Sequence, residues 1–482
     1  MRNSIYLWFI IACFLPACFT KTVKKKTDSL SGLQHQMRSS DANMRREAIV
    51  GLRRYGENAL SAKVALRRAM IQDRSPKVRK AAIYTLIGMG PQAISDWVRG
   101  LVSDDPVIKK IANDQFAHLG EHDAKGLAKS LSLPLEKVRK KVLSTLKRLG
   151  SKAKVAIPEL TKLLGHSEAD VKIAVAKAIG QMGADADKAV LKLADALKAN
   201  KAWWNIQVAL ANALGQIGPA AAPAAQELAE LLQDKDSDVG KAAMAALKQI
   251  GPKAIPNLGQ VLSNSPWQIK LQLAKLFGSM GGQAVSGVPA LARATTDSDT
   301  EVRKASVIAL GEIGEKAKLG IPALTKILHN QQEEKAIWRE TVLALVRIGH
   351  AGHKVLLDGL QSKEDTWLQQ KIPEALGGLG AKLGRHGVPL LVKALQNPMW
   401  QVRWTATMVL QKVKDQSKLA VTALIKALED TDHRVRKGAA KTLGKYGAKA
   451  KNALPALKKL LKDKEPSVQA TAQKAISNIS ND

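Results

Sequence analysis

The distribution of apolar residues along the chain predicts short amphipathic helices. In the stretch TEVRKASVIALGEIG, which runs from Thr300 to Gly314, Val302 begins a series of apolar or small residues. The series continues three, four, seven, eight and eleven positions later, which places it on one face of a helix with 3.6 residues per turn. Gly314 follows directly and predicts the end of the helix, because glycine readily adopts the left-handed conformation found after helix C-termini.

Similar stretches occur fourteen times, and we number these repeats 1 to 14 by the residue equivalent to Val302, called the anchor. The anchors are Met44, Val78, Ile108, Val138, Val171, Ile206, Val239, Ile269, Val302, Ile337, Leu368, Val402, Val435 and Val468. Twelve residues after the anchor, every repeat has glycine except repeat 12, with Lys414, and repeat 14, with Ser480. A fixed interval inside a period of 30 to 35 residues predicts one helix of constant length in each repeat.

A further helix is predicted before each anchored helix. In GEKAKLGIPALTKILHN, which follows the anchored helix of repeat 9, Pro322 stands just inside the expected helix start, where no backbone N–H is needed. Each repeat is therefore predicted to be a pair of helices joined by a turn. One such pair cannot bury its apolar face alone, so stacked repeats are expected to share a continuous core.

The repeat resembles the HEAT repeat, especially the short bacterial form also found in phycobilin-lyase-like proteins. That family has an Asp in the turn and a Val–Arg or Val–Lys pair at the start of the second helix. Five residues before the anchor this chain has Asp73, Asp234, Asp297, Asp430 and Asp463, with Asn264 and Asn397 as replacements. The resemblance implies an all-α fold over residues 30–482, an α-solenoid forming a right-handed superhelix of about fourteen HEAT-like helix-turn-helix repeats. It says little about function, because this repeat is a general scaffold.

Basic residues fill 17 of the 28 positions that directly follow the anchors, and no acid occurs there. The residue directly after the anchor, the first basic position, is expected to pair with acids in the turn of its own or the next repeat, as in HEAT-like stacks. Acids three residues before the anchor, such as Asp105 and Asp432, offer further partners. The next residue, the second basic position, is the candidate for binding a ligand. Its members are Arg46, Lys80, Lys110, Lys140, Lys241, Lys304, Arg339 and Lys437.

Tryptophan recurs near the same helix starts. The six residues are Trp203, Trp267, Trp338, Trp367, Trp400 and Trp404. Two interpretations stay open: packing between repeats, or a row of half-exposed rings along the concave face that contacts sugars, peptides or bases. Trp267 and Trp400 are the aromatic candidates for binding.

Charge and composition narrow the class of partner. The chain has 75 Lys and Arg against 42 Asp and Glu, a net charge of +33, which favours an anionic partner or surface. Aromatic residues make up only 4%, so the core must consist of Ala, Leu, Ile and Val. The only two cysteines, Cys13 and Cys18, exclude a disulfide framework in the repeats.

The N-terminus predicts export and lipidation. An apolar run over residues 5–14 is short for a transmembrane span, and LPAC, which ends at Cys18, resembles a bacterial lipobox. We therefore expect a signal peptide over residues 1–17, lipid on Cys18 and a polar tether over residues 18–29. This places the protein in the cell envelope, lipid-anchored to a membrane and facing the periplasm or the surface. A plain secretory signal or an uncleaved anchor is the alternative.

The sequence lacks common catalytic motifs such as a Walker A loop, G-x-S-x-G or H-E-x-x-H. The pairs His118/His122 and His350/His353 are expected to be solvated surface residues, so no metal site and no cofactor is predicted. The predicted function is a non-enzymatic scaffold, a monomer that binds an acidic protein or anionic envelope polymer through a basic concave face. Two alternatives remain. A nucleic-acid-binding HEAT protein fits the charge but conflicts with export, and a bilin-lyase-like enzyme is suggested by repeat kinship alone.

Overall fold

The structure is a computed structural model that describes residues 29–234, 237–362, 365–379, 384–413 and 418–481. All regular secondary structure in these ranges is helical, so the chain is an all-α solenoid, as predicted. The expected signal peptide, Cys18 and all of the tether except Ser29 lie outside the described residues. Among the helices of the described ranges, none combines the length and apolar character needed to cross a membrane.

Each repeat contains two α-helices, which confirms the helix pairs. The first helices are Leu30–Gln36, Lys63–Gln72, Ile94–Trp97, Ala124–Ser130, Ile157–Leu163, Val190–Ala199, Ala225–Glu230, Ile255–Asn264, Val288–Ala294, Ile321–His329, His350–Gln361, Gly384–Ala394, Lys418–Ala427 and Leu454–Lys459. The second helices, which carry the anchors, are Ala42–Leu52, Pro76–Gly88, Pro106–Ala117, Glu136–Leu149, Ala169–Gly180, Trp204–Ile217, Ser237–Ile250, Trp267–Met280, Thr300–Ile313, Lys335–Ile348, Thr366–Leu379, Trp400–Leu410, His433–Tyr446 and Pro466–Asn481. Short 3₁₀ segments, such as Gly314–Gly320, connect many second helices to the next repeat.

The repeated glycines end the second helices in a conformation that requires glycine. Ten of them have positive φ, among them Gly314 with φ 68° and ψ −138°. This differs from the left-handed helical conformation that the sequence predicts: the ψ value makes it the mirror image of extended backbone, which a Cβ atom excludes. Gly120 is an exception with φ −127°. The chain therefore leaves most second helices through a bend that no other residue adopts easily.

The chain divides into two compact units, Met1–Val138 and Arg139–Asp482. Within the second unit, second helices of neighbouring repeats pack on one another in most places, and first helices form a second layer. The core between the layers contains mainly Ala, Leu, Ile and Val, as the composition predicts. All anchors from Val78 to Val468 are buried, whereas Met44 in repeat 1 is 46% exposed.

Neighbouring second helices approach closely where one has glycine nine residues after its anchor and the next has alanine seven residues after its own. A Cβ atom placed on Gly215 would lie 2.9 Å from the Cα of Ala246. The other such pairs are Gly180–Ala213, Gly278–Ala309, Gly311–Ala344 and Gly444–Ala475. Repeats 7 and 8 have Lys248 and Leu276 at these positions, and their second helices make few contacts. Small residues thus set the helix spacing repeat by repeat.

Candidate functional site

The first basic positions join neighbouring repeats. In repeat 13, the Arg436 guanidinium donates from Nε and Nη2 to both carboxylate oxygens of Asp463 in repeat 14, at 2.7 and 2.8 Å. Its Nη1 donates to the backbone carbonyls of Asp430 and Thr431, in the turn of its own repeat, at 2.9 and 3.1 Å. One side chain therefore fixes its own turn and the turn of the next repeat. We call this arrangement a rung.

Ion pairs from the first basic position to the next repeat recur in both units, and in repeats 1, 2, 9, 12 and 13 the arginine also bonds its own turn. The ion pairs are Arg45–Asp73, Arg79–Asp105, Arg139–Asp170, Lys270–Asp297, Arg303–Glu333, Arg403–Asp430 and Arg436–Asp463. In repeat 5, Lys172 donates to the side-chain oxygen of Asn200 at 2.8 Å instead. The predicted structural role of the first basic position is thereby confirmed, and the partner belongs to the next repeat in each pair.

Hydrogen bonding within the rungs stabilises the charged forms of both partners. The hydrogen bond from Arg436 lowers the pKa of Asp463, and the hydrogen bond to Asp463 in turn raises the pKa of Arg436. The same exchange with Asp430 raises the pKa of Arg403. Both side chains of these rungs are largely buried, so the arginines are occupied within the solenoid. A ligand would have to break a rung to reach them.

The acids three residues before the anchor mostly cap the second helices. The carboxylates of Asp41, Asp299 and Asp432 accept hydrogen bonds from backbone N–H groups in the first turn of the helix that follows. Asp105 caps its helix and also forms the rung with Arg79. The prediction that these acids supply partners for the basic residues therefore holds at Asp105, whereas at Asp41 and Asp299 the structure shows caps.

The second basic positions face solvent more than the first. Arg46, Lys80, Lys110, Lys140, Lys241 and Lys437 are exposed, and Lys304 and Arg339 are half-buried. Lys241 lies 3.5 Å from Asp238 and Lys304 lies 3.8 Å from Glu301, both on their own helices. Such exposed pairs contribute little to stability. At six of the eight second basic positions the side chain is therefore exposed to solvent and accessible to a binding partner.

The tryptophans divide between the two interpretations. Trp338 is buried, donates from Nε1 to the carbonyl of Leu328 at 2.9 Å and packs edge-on against Trp367, with ring centroids 5.2 Å apart. This pair serves packing. Trp203, Trp267 and Trp404 are 58%, 47% and 41% exposed and remain accessible. The sequence prediction missed Trp204, which is 54% exposed and occupies the same place in repeat 6 as Trp267 does in repeat 8.

Trp400 is covered by a guanidinium group of the chain itself. The Cζ atom of Arg434 lies 3.1 Å from the centroid of the Trp400 ring, a cation–π contact. Arg434 also donates to the Asp432 carboxylate at 2.8 Å, and this hydrogen bond lowers the pKa of Asp432 to about 2. The Trp400 ring and the Asp432 carboxylate thus bind the same arginine side chain, that of Arg434.

A cavity of about 450 Å³ lies at the turns of repeats 6 and 7. The residues that line it are Leu197, Lys198, Lys201, Gln207, Glu227, Glu230, Leu231, Gln233 and Asp234. Gln207 stands at the first basic position of repeat 6, where an arginine would form a rung. In repeat 10, Trp338 holds that position and the neighbouring cavity is about 190 Å³. Sequence analysis did not single out Gln207, although its departure from the basic pattern was the available signal.

Histidine gives no metal centre in the described part of the chain, where no group of three or more His, Cys, Asp or Glu side chains could hold a metal ion. The expectation that His353 is a solvated surface residue is wrong. Its side chain is buried, and Nε2 lies 3.0 Å from the carbonyl oxygen of Val346. His353 therefore ties the start of helix His350–Gln361 to the preceding second helix.

The all-α fold with paired helices defines a solenoid built from helical repeats. The family model described as HEAT repeats matches residues 124–204, 192–269, 255–345 and 388–477, which together make up more than half of the chain. The chain belongs to the HEAT-repeat family. No curated protein sequence matches it significantly.

Three of the solved structures that match the chain do so at low sequence identity. An engineered protein is 22% identical with a TM-score of 0.24, over 94% of this chain and 98% of its own. Kap121p bound to Ste12p is 12% identical with a TM-score of 0.40, over 90% of this chain and 54% of Kap121p. A structure from work on the interaction between cadherin and beta-catenin is 14% identical with a TM-score of 0.30, over 94% of this chain and 99% of its own. Likenesses of this strength do not indicate a partner.

Proposed function

We propose that this HEAT-repeat protein is a non-enzymatic scaffold that binds an acidic protein or an anionic polymer of the cell envelope through its second basic positions. The observation that carries the proposal is that the two residues of a basic pair have different surroundings: the first forms a rung and the second is exposed. In repeats 1, 2 and 13, Arg45, Arg79 and Arg436 are held in rungs. Their neighbours Arg46, Lys80 and Lys437 are exposed. In these three repeats the second residue stands outside the rung, so its charge is available for binding.

The spacing of these charges suits an extended ligand. Arg46, Lys80 and Lys110 occupy equivalent positions in three successive repeats, and packed helices lie about 10 Å apart. Their fields extend over a Debye length of roughly 8 Å at physiological salt, so neighbouring fields overlap. Lys140 takes the same position in repeat 4. A polymer with carboxylate or phosphate groups at regular intervals would contact several of these residues together.

Lipid anchoring completes the proposal and rests on the N-terminal sequence. Cys18 follows the lipobox-like LPA, and the Lys-rich segment after it would serve as a tether. Replacement of Cys18 by Ser should release the protein from the membrane fraction or leave it unprocessed, with loss of the mass of the acyl chains. Identical fractionation and mass of the two forms would contradict the anchor and leave the binding proposal standing.

The binding proposal is tested with poly-L-glutamate as the probe. Replacement of Arg46, Lys80, Lys110 and Lys140 by Gln should leave the melting temperature unchanged, weaken binding and flatten the dependence of affinity on salt. The matched control replaces Lys152, Lys154, Lys248 and Lys253, which are exposed but stand elsewhere, and it loses the same charge. Equal effects of the two variants would show that only net charge matters. Tighter binding to duplex DNA than to poly-L-glutamate would favour the nucleic-acid alternative.

A further inference from the structure

The first helix of repeat 3 contains a carboxylate at a position that is apolar in other repeats. Asp96 stands twelve residues before its anchor and is 2% exposed. The equivalent residues of repeats 2 and 9 are Leu66 and Ala290, which are also buried. A buried carboxylate is unfavourable without a cationic partner, and those two repeats stack without one. Asp96 therefore marks a polar cluster that the repeat pattern does not explain.

Arg67, in the first helix of repeat 2, is the cationic partner of Asp96. Its Nη1 donates to Oδ1 of Asp96 at 2.8 Å. The side chain of Arg67 is 34% exposed, so the ion pair extends from the interior to the solvent. Both residues belong to first helices, whereas the rungs start from second helices. The pair is therefore a separate charged feature in the layer of first helices.

Arg99 adds a second guanidinium group next to this ion pair. It stands three residues after Asp96 on the same helical segment, so the two side chains leave neighbouring places of one face. Arg99 is half-buried, and its Nε is buried without a hydrogen-bond partner. Among the residues that the structure describes, Arg99 makes no hydrogen bond and no ion pair. Burial and the charge of Arg67 lower the pKa of Arg99, whereas the charge of Asp96 raises it.

The burial of Arg99 sets it apart from basic residues at the same position of other repeats. Lys129, Arg293 and Lys459 also stand nine residues before their anchors, and all three are exposed. Water reaches those charged groups, whereas the surroundings of Arg99 remove part of its hydration. A partly desolvated cation without a counter-ion is unfavourable. The guanidinium group of Arg99 therefore favours the binding of an anion.

The chemistry of the cluster favours a carboxylate over a phosphate. Arg67 and Asp96 neutralise each other, so Arg99 leaves a single positive charge. A carboxylate carries one negative charge, and its two oxygens match two parallel N–H donors of a guanidinium group. A phosphate monoester carries about −1.5 to −2 charges at pH 7. It would bring excess negative charge close to the buried Asp96 carboxylate.

We propose that Arg99, together with Arg67, binds one glutamate or aspartate side chain of a partner polypeptide. A carboxylate at the end of a flexible side chain can reach a half-buried group, whereas the carboxylate of a uronic acid is fixed to a sugar ring. The inference rests on the proposed scaffold function for its acidic partner. It adds a defined site on the first helices of repeats 2 and 3, and none of the second basic positions takes part.

The test adds the peptide acetyl-Gly-Glu-Gly-amide to the full chain and follows hydrogen exchange by mass spectrometry. Slower exchange in residues 94–102, the segment that contains Asp96 and Arg99, reports binding at this site. We expect a dissociation constant on the order of 1 mM. The peptide with Gln in place of Glu has nearly the same shape without the charge and should bind at least about tenfold more weakly, a difference of ~1.4 kcal/mol. Equal protection by both peptides, or stronger protection by galacturonic acid or inorganic phosphate, would overturn the proposal.

Two variants locate the binding. Arg99→Met keeps most of the aliphatic stem, should abolish the protection by the glutamate peptide and should not lower the melting temperature. Arg68→Met removes the same charge from an exposed position next to Arg67 and should bind like the wild type. If Arg99→Met binds the peptide like the wild type, or if it unfolds the protein, the site is excluded. Failure of the poly-L-glutamate test leaves this result unaffected, because the residues replaced there lie on second helices.

Discussion

Repeats 13 and 14 join differently from repeats 7 and 8. In the former, the rung Arg436–Asp463 joins the turns, and Gly444 lets the second helices approach until a Cβ atom would lie 2.8 Å from the Cα of Ala475. In the latter, Gly240 and Asn264 replace the rung, and Lys248 replaces the glycine. The second helices of repeats 7 and 8 make few contacts. Rung and close packing are present together in one pair and absent together in the other.

The comparison teaches that one scaffold can vary its joints without changing its core. Val435 and Val239 are both fully buried anchors, and Gly447 and Gly251 both have positive φ. What differs lies at the turns and on the facing helix surfaces. A position that is structural in one repeat can therefore hold another residue type in the next, as Gln207 shows in repeat 6.

Removal of a rung should give the largest effect. Arg403→Met keeps the aliphatic stem but removes the cationic partner of the buried Asp430 carboxylate and the donor to two turn carbonyls. We expect the free energy of unfolding to fall by about 3 kcal/mol. Amide hydrogen exchange should therefore become faster in the second helices of repeats 12 and 13. Lys437→Met makes the same chemical change at an exposed second basic position and should cost less than about 0.5 kcal/mol. Equal losses would show that the rungs have no special structural role.

Obstruction of the close helix contact should give a smaller effect. Gly444→Leu forces a side chain against the backbone of Ala475 and should cost about 2 kcal/mol through overpacking. Lys248→Leu introduces the same side chain at the equivalent position of repeat 7, where the helices make few contacts, and should be nearly neutral. Urea unfolding of both variants measures the difference. A neutral Gly444→Leu would mean that the glycine does not set the helix spacing.

A low pH should reduce the stability that the Arg436–Asp463 rung contributes. Arg436 lowers the pKa of Asp463 below its unfolded value of about 3.9. The carboxylate therefore contributes stability that is fully present above about pH 4 and is lost as the pH falls through the lower folded-state pKa. The stability difference between wild type and Asp463→Asn should be constant near neutral pH and shrink below pH ~4. A difference that stays constant down to pH ~2 would contradict a charged rung.

The sequence predicted the helix pairs and the rungs because both follow from residue types at fixed positions. Val302 and Gly314 mark one helix through apolar periodicity and a residue that tolerates positive φ. The pattern at Asp430 and Arg436 predicts a turn ion pair, although only the fold shows that Arg436 reaches forward to Asp463. The partner depends on how far one repeat lies from the next, which no local pattern contains.

The cavity and the tryptophan roles could not be predicted from position alone. Trp338 and Trp267 stand near the same helix start, yet Trp338 is 6% exposed and Trp267 is 47% exposed. A shift of three residues turns the ring by most of a helical turn, and neighbouring side chains then decide its burial. Gln207 is a neutral residue at a mostly basic position, and only the fold shows that it lines a cavity of about 450 Å³.

The most direct test of the account is a double-mutant cycle at the rung that joins repeats 1 and 2. Arg45→Met and Asp73→Asn should each lower the free energy of unfolding, because Arg45 donates to the Asp73 carboxylate and to the carbonyls of Ser39 and Ser40. The double variant should lose less than the sum of the two single losses, with a coupling energy of about 1–2 kcal/mol. If the two losses simply add, or if neither variant lowers the stability, the pair is not a structural rung and the account is wrong.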